Sequence, residues 1–374
     1  MEKSDMEDKF NRRGSIKAVA GAFAATAVAS SFPAPAIASG VREWVMVSTF
    51  PKGSPGLQQS GANVAKNIEE LSGGRIKVKA FGAGELVPAM ETFDAVRENK
   101  AQLGNSMPYF WTGKDKLASF FSAAPGGLTA EEQAAWLYHG GGQELWDEVY
   151  AQYNLKGLMT GAFGSQQAGW FNKEINSLDD LQGLKIRIPG LAGEVLGRLG
   201  ASPTMLPLGE VVGALQAGTI DAAEFIGGWV DLAFGFPKVA KYFYGPGFHE
   251  PGSTEELLIN LDEWNDLEDD LKTVVQHACR SEYAQHSALF TYHQPMALKK
   301  IVEEYDVQVK PFPDEVMEAI FKTSNELMLE IGDSSDLARR IYKSWDGYRQ
   351  ARIQFGDNQT LGLLKWRSAV AEKA

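Results

Sequence analysis

The sequence contains one cysteine, Cys279, among its 374 residues. A single thiol excludes an intrachain disulfide and a cluster of thiolate metal ligands. Because Cys279 follows His277 and Ala278 in a helical pattern, we expect a buried structural thiol rather than a reactive one. After residue 38, no uncharged apolar run approaches the ~20 residues that a membrane-spanning helix requires.

Positive charge is also in short supply. The chain has 36 lysines and arginines against 48 acidic residues, and its formal net charge is −12. This balance argues against nucleic acid and anionic membrane surfaces as partners, because both attract basic proteins. An anionic small molecule would therefore need a local cationic pocket.

Familiar catalytic patterns are missing as well. The five histidines show neither the HxH nor the HExxH spacing of a zinc site. No nucleophile elbow, Walker loop or dinucleotide-binding glycine motif occurs, which argues against an enzyme. His249 and Glu250 could form an acid–base pair, although a turn with a satisfied histidine is the simpler interpretation.

Residues 1–38 have the pattern of a cleaved export signal. Arg12 and Arg13 form a twin arginine, and an alanine-rich apolar run follows over Ala18–Ala29, too short to span a bilayer. The small residues Ala36–Ala38 suit a cleavage site. The twin arginine favours the Tat route, so we expect a Tat-type signal and a periplasmic product. A disordered tail or a membrane anchor is the alternative.

Two successive sets of alternating strands and helices follow the signal. The first covers residues 43–107 and the second covers residues 156–225. This order predicts an α/β fold with mostly parallel sheets, and two units of similar plan predict two lobes with a cleft. From residue 261 the chain is mainly helical. An apolar stripe within Asp336–Phe355 faces either the core or a partner.

One strand of the second set presents an arginine where ligands commonly bind. Along residues 183–190, apolar residues alternate with Lys185 and Arg187, and Pro189 ends the strand. Arg187 thus lies at the C-terminal end of a strand, where open α/β sheets bind ligands. Its guanidinium could form a bidentate pair with one carboxylate or phosphate. An arginine exposed on a solvated strand face is the alternative.

Two more polar residues lie near predicted strand ends. Gln166 precedes one strand, and Glu224 closes a run of small and apolar residues. A carboxylate in such a run needs a partner, because an unpaired buried charge is costly. Arg187 could be that partner in a structural salt bridge. Alternatively, Glu224 and the amide oxygen of Gln166 could hold Na⁺ or Ca²⁺, which prefer hard oxygen ligands.

These segments, taken in order, resemble a known family. The motifs that carry the resemblance are Ser48–Leu57, Gly82–Pro88, Phe93–Val96, Gln166–Phe171, Leu184–Glu194, Asp221–Glu224 and Phe248–Gly252. The chain resembles the DctP-type solute-binding subunits of tripartite ATP-independent periplasmic (TRAP) transporters over residues 41–350. Within that family it is similar to the branch that binds 2-oxo acids such as pyruvate.

The resemblance implies a two-lobed α/β binding protein with a ligand cleft and long C-terminal helices. It implies that Arg187 binds the ligand carboxylate. It further implies that a cation, Na⁺ or Ca²⁺, bridges to that carboxylate and is held by Gln166, Glu224 and the backbone carbonyl of Phe225. The phenylalanine at position 225 departs from a tryptophan common in the family, which leaves the exact acid open.

The resemblance also places aromatic residues at the ligand. Tyr109 and Trp111 lie in the segment that faces the ligand from the first lobe, and Gln166 and Phe225 are expected to contact the ligand as well. The aromatic pairs Trp170–Phe171 and Phe225–Trp229 could wall a pocket, although aromatic residues at such spacing usually belong to a core.

The expected assembly follows the same resemblance. We expect a first lobe of residues 39–163 and 251–300, and a second lobe of residues 164–250 and 301–335. Residues 336–374 would form a C-terminal helix that can join two copies, and small and large integral membrane subunits would be the transport partners. The expected ligand is a small 2-oxo monocarboxylate. Two alternatives remain. The same scaffold could bind lactate or a C4-dicarboxylate, or the protein could be an exported enzyme that acts on 2-oxo acids.

Overall fold

The computed structural model describes residues 40–371, which contain two β-sheets and their covering helices. The expected signal at residues 1–38 lies outside the described residues. The strands are β1 Arg42–Ser48, β2 Ile76–Ala80, β3 Leu103–Ser106, β4 Leu155–Ala162, β5 Gly169–Phe171, β6 Lys185–Arg187, β7 Ser202–Thr204, β8 Ala222–Ala223, β9 Tyr242–Gly245, β10 Thr254–Asn260 and β11 Gln308–Pro311. The α-helices are α1 Gln58–Leu71, α2 Thr92–Arg97, α3 Ala130–His139, α4 Gly142–Ala151, α5 Gly190–Arg198, α6 Leu208–Gln216, α7 Gly228–Phe234, α8 Leu261–Asn265, α9 Asp269–Glu304, α10 Asp314–Gly332, α11 Asp336–Gly356 and α12 Gly362–Ala371.

The first sheet has the strand order β2-β1-β3-β10-β4. β1 pairs in parallel with β2 and β3, as the alternating pattern predicts. β10 is antiparallel to both β3 and β4, so the sheet is mixed rather than mostly parallel. The sequence pattern did not reveal β10, because its polar residues Thr254, Glu255, Glu256 and Asn260 are all buried and give no alternation between apolar and polar positions.

The second sheet has the order β11-β9-β5-β8-β6-β7. β6 is parallel to β7 and β8, whereas β5 is antiparallel to β8 and β9. Each sheet with its packed helices forms one lobe, called here the first and the second lobe. The exact lobe boundaries in the sequence remain a prediction.

The chain passes between the two sheets at three places. β4 leads to β5 through residues 163–168, β9 returns to β10 through residues 246–253, and α9 precedes β11. α9 packs on β4 and α1 in the first lobe and on α7 in the second lobe. The first two crossing segments carry the polar residues of the candidate site.

The C-terminal helices divide the apolar stripe of residues 336–355 into two parts. Ala338, Ile341 and Trp345 are buried, and the Trp345 ring packs on Phe120 in the first lobe. The second half of α11, the segment up to residue 361 that follows it, and the helix α12 instead expose apolar side chains. These are Ile353, Phe355, Leu361, Leu363, Leu364, Trp366 and Val370. The first half of the stripe therefore faces the core, and the second half does not.

Cys279 is buried, and burial raises the pKa of its thiol, as expected for a structural cysteine. Within residues 40–371, no helix combines the length and the apolar character that crossing a membrane would demand.

Candidate functional site

Arg187 is buried at the end of β6, with 1% of its surface exposed. Its Nη1 atom donates to the backbone oxygen of Glu224 at 2.7 Å and to Glu224 Oε2 at 3.0 Å. Its Nε atom donates to the backbone oxygen of Leu206 at 3.4 Å, and the guanidinium lies 5.9 Å from the centre of the Phe225 ring. The alternative of an exposed arginine is therefore wrong.

Sheet register explains why Arg187 and Glu224 meet. β6 and β8 are parallel neighbours with Arg187 opposite Ala223, so Glu224 follows directly at the same sheet edge. The backbone nitrogen of Glu224 donates to the backbone oxygen of Arg187 at 2.9 Å, which extends the ladder by one bond. The carboxyl ends of parallel strands thus bring together two residues that are far apart in the sequence.

The side-chain amide of Gln166 is oriented by two acceptors. Gln166 Nε2 donates to Glu250 Oε2 at 2.8 Å and to Ser253 Oγ at 2.9 Å, and all three residues are buried. Both amide hydrogens are used, since an amide nitrogen carries two. The remaining oxygen, Gln166 Oε1, is buried and has no hydrogen-bond partner among the described residues.

Glu224 and His249 contain further buried atoms without hydrogen-bond partners. Glu224 Oε1 and both ring nitrogens of His249 form no hydrogen bond within the described part of the chain. His249 Nε2 lies 3.1 Å from Glu224 Oε1. Glu224, His249 and Glu250 each offer one ligand atom, and these atoms lie within 4.8 Å of one another. Native proteins pair nearly all buried polar atoms, so this group fits a bound ligand or cation.

Burial dominates the electrostatics of the group. It raises the pKa of Glu224 to about 8, although Arg187 acts in the opposite direction. Burial and the neighbouring Glu224 raise the pKa of Glu250 to about 7. Burial lowers the pKa of His249 to about 4, so the imidazole is neutral at neutral pH. The site therefore holds two buried carboxyl groups, and Arg187 is the one buried arginine among residues 40–371.

Tyr109 brings the first lobe to this group. It lies just after β3, it is buried, and its hydroxyl interacts with Glu250. Burial and the charge of Glu250 raise the pKa of this hydroxyl. Gly190 adopts φ +67°, and a Cβ atom there would lie 3.3 Å from Tyr109 Cβ, so glycine allows the two lobes to approach closely.

Trp111 has a different environment from Tyr109. Its indole nitrogen donates to Glu256 Oε1 at 2.8 Å, and its ring packs on Phe93 within the first lobe. A contact between Trp111 and the ligand therefore stays a prediction. Trp170 is also a core residue, because its indole nitrogen donates to Asp231 Oδ2 at 2.6 Å and its ring stacks on Phe243.

The structure adds His249 and Glu250, which the sequence reasoning had not assigned to the site. The interpretation of His249 as a satisfied histidine stays a prediction. Its Nε2 atom lies 3.1 Å from Glu224 Oε1, but neither ring nitrogen forms a hydrogen bond with the residues that the structure describes. The signal that could have found these residues is the motif Phe248–Gly252, which lies in the crossing segment between β9 and β10.

The fold and the site together define an extracellular solute-binding protein. Residues 46–334 match the family DctP, described as bacterial extracellular solute-binding protein, family 7. The match covers more than half of the chain, and the chain belongs to this family. The resemblance to DctP-type TRAP subunits is confirmed.

Among curated relatives, the chain is similar to a monocarboxylate 2-oxoacid-binding periplasmic protein from Nostoc sp. strain PCC 7120. The two are 37% identical over 311 residues, which cover 82% of this chain and 84% of the relative. Two solved TRAP periplasmic solute-binding proteins are each 36% identical to it, with a TM-score of 0.84. The match covers 87% of this chain and 99% of each structure.

The two solved structures carry different cations with the same acid. The protein from Colwellia psychrerythraea has bound calcium and pyruvate. The protein from Pseudoalteromonas atlantica T6c has bound sodium and pyruvate. The likeness of this chain to both confirms the expected α/β fold of a two-lobed periplasmic binding protein.

Proposed function

We propose that this protein is the periplasmic solute-binding subunit of a TRAP transporter and that it captures a small 2-oxo monocarboxylate, such as pyruvate, together with Na⁺ or Ca²⁺. The observation that carries the proposal is the buried pair of Arg187 and Glu224, together with Gln166, whose Oε1 atom has no hydrogen-bond partner among residues 40–371. Glu250 links them, because it accepts from the Gln166 amide and lies close to Glu224. The ligands of the related proteins support the choice of acid and cation.

Arg187 supplies the positive charge that a carboxylate needs. Its Nη1 atom is used by Glu224 and its Nε atom by Leu206, while Nη2 donates to no residue within 40–371. Nη2 is therefore available to the ligand carboxylate. Tyr109 meets the same group from the first lobe, so closure of the two lobes would cover the ligand.

The donor set fits a hard cation. Gln166 Oε1 and Glu224 Oε1 are buried oxygens that have no hydrogen-bond partner in the described part of the chain. The backbone oxygen of Phe225 is the third protein ligand in this proposal. Amide, carboxylate and carbonyl oxygens suit Na⁺ and Ca²⁺. A cation bound there adds positive charge next to the acid and lets the 2-oxo oxygen and the carboxylate share one centre.

A C4-dicarboxylate fits this site less well than a monocarboxylate. Arg187 is the one buried arginine among residues 40–371, and a second carboxylate would require a second cationic group. Lactate retains one carboxylate and an adjacent oxygen, so it remains the competing ligand. The protein is proposed to bind and release its ligand unchanged, which proton NMR of the ligand after incubation would test.

Calorimetry tests the proposal directly. Pyruvate, lactate and succinate would be titrated into the purified mature protein with EDTA, Na⁺ or Ca²⁺. We expect pyruvate to bind with the cation present, and Arg187→Met to abolish binding because the carboxylate loses its partner. Arg75→Met, which changes an arginine paired with acidic groups of the first lobe, is the matched control. Unchanged pyruvate binding in Arg187→Met would refute the proposal.

The transport partners and the oligomeric state belong to the same proposal. The membrane partners are the small and large integral TRAP subunits.

Two copies would join through the exposed apolar side chains of residues 353–370. We expect Leu363→Ser with Trp366→Ser to lower the mass measured by light scattering, whereas Tyr292→Ser, another exposed aromatic change, should not. Equal masses for all variants would exclude this interface.

Periplasmic location by the Tat route completes the proposal. It rests on the twin arginine and on the periplasmic relatives. Replacing Arg12 and Arg13 with lysine should retain the precursor in the cytoplasm, as fractionation would measure. Continued export would point to another route.

A further inference from the structure

We infer that His249 is a further ligand of the cation in this site, and that the site therefore accepts a first-row divalent metal such as Mn²⁺ or Co²⁺ as well as Na⁺ or Ca²⁺. The inference deepens the proposed function, since it uses the cation position between Gln166 and Glu224. It adds one nitrogen donor to a set that otherwise consists of oxygens.

The separation between His249 and Glu224 matches two ligands of one metal. His249 Nε2 and Glu224 Oε1 are 3.1 Å apart, both atoms are buried, and neither forms a hydrogen bond with any residue between 40 and 371. Two donor atoms that each lie ~2.1 Å from a metal, at right angles to each other, are ~3.0 Å apart. Glu250 contributes a further carboxylate oxygen within 4.8 Å of both residues.

The imidazole is held in place by its surroundings. A Cβ atom at Gly247 would lie 2.8 Å from His249 Cε1, so the ring packs directly on a glycine backbone. The Phe248 ring meets the imidazole edge to face, with 5.7 Å between the ring centres. A ligand that is fixed before binding loses little conformational entropy when a metal arrives.

A nitrogen donor changes which cations the site prefers. Na⁺ and Ca²⁺ take oxygen ligands, whereas imidazole suits first-row transition metals. Affinity at such mixed sites rises from Mn²⁺ through Co²⁺ to Cu²⁺. If His249 instead donates only a hydrogen bond to Glu224, replacing it would leave the ranking of cations unchanged.

Metal titration of the untagged mature protein tests the inference. Binding of Co²⁺ would be followed by its visible absorption, and Ca²⁺ and Mn²⁺ by the shift in melting temperature. We expect one equivalent of Co²⁺ to bind, and His249→Gln to weaken Co²⁺ binding at least ~10-fold. The same variant should change the Ca²⁺ effect little, because glutamine offers an oxygen in place of the nitrogen. His277→Gln, an exposed histidine, is the matched control.

Two results would overturn the inference: equal Co²⁺ affinity in the native protein and His249→Gln, or loss of the Co²⁺ signal in His277→Gln. His249→Asn provides a second variant, and the melting temperature without metal verifies that each variant is folded. Pyruvate binding with Ca²⁺ but no role for His249 in Co²⁺ binding would refute this inference alone. Co²⁺ binding through His249 without any 2-oxo acid binding would refute the proposed function alone.

Discussion

An ion pair between the lobes should help to hold the cleft closed. Lys116 begins a short helical turn of the first lobe, and Glu194 lies on α5 of the second lobe. Lys116 Nζ and Glu194 Oε2 are 2.5 Å apart. Glu194 is also bound by Arg198, which in turn forms two hydrogen bonds with Glu330 of α10. Because hinge opening would separate Lys116 from Glu194, Lys116→Ala should favour the open form and weaken ligand binding.

The exposure of the two side chains sets the size of the effect. Lys116 is 50% exposed and Glu194 is 33% exposed. Ion pairs with this exposure contribute ~0.2–1 kcal/mol, which corresponds to an affinity loss of about 1.4- to 5-fold. The loss should shrink at high salt, where exposed charges are screened. Desolvation alone would raise the pKa of Glu194, but Lys116 and Arg198 lower it overall, so this carboxylate is ionised at neutral pH.

A double-mutant cycle on pyruvate affinity separates this pair from its neighbours. Lys116→Ala, Glu194→Ala and the double variant would be compared by calorimetry at low and high salt. We expect a coupling between the two positions, because each single variant already breaks the same contact. Lys52→Ala is the matched control, since Lys52 pairs with Glu85 inside the first lobe at 2.6 Å. Strictly additive effects, or an equal loss in the control, would refute the reasoning.

Two further predictions concern buried groups. Ser253→Ala removes one of the two acceptors that orient Gln166, so Ca²⁺ binding measured by calorimetry should weaken by about fivefold, or ~1 kcal/mol; unchanged affinity would exclude this positioning role. Glu256 lies between the donors Trp111 and Tyr150, and burial raises its pKa from 4.5 to about 8. The folded state therefore retains a proton that the unfolded state releases, and stability falls as pH rises from about 5 to 8. Glu256→Gln should reduce that slope in urea unfolding, and an unchanged slope would contradict the prediction.

Much of the strand and helix pattern was predictable from local sequence. The first strands and helices of both lobes follow the alternating pattern because each buries one apolar face. The sequence pattern did not predict β10, because its buried Glu255 and Glu256 are paired with residues far away in the sequence. Glu255 accepts from Asn105 at 2.6 Å and Glu256 accepts from Trp111 at 2.8 Å. Such long-range hydrogen bonds allow polar residues to be buried, so the strand shows no alternation of apolar and polar residues.

The part of the candidate site that lies at strand ends was predictable from the sequence. Arg187 and Glu224 close neighbouring strands, and their positions already indicate a shared sheet edge. His249 and Glu250 come from a crossing segment without periodic structure, so only the fold brings them to Glu224. The hydrogen bonds that orient Gln166 likewise depend on residues more than eighty positions further along the chain.

The sequence left open whether Glu224 pairs with Arg187 or holds a cation, and the geometry makes the two roles compatible. Arg187 Nη1 engages Glu224 Oε2, while Glu224 Oε1 has no hydrogen-bond partner within the described residues. A buried ion pair contributes little net stability, because desolvation offsets the attraction between its charges. A purely structural ion pair would also leave the buried Oε1 atom of Gln166 without a partner within the described residues. The proposed cation would pair with both of these oxygens, and the contact with Arg187 would hold the Glu224 carboxylate so that its second oxygen faces the cation.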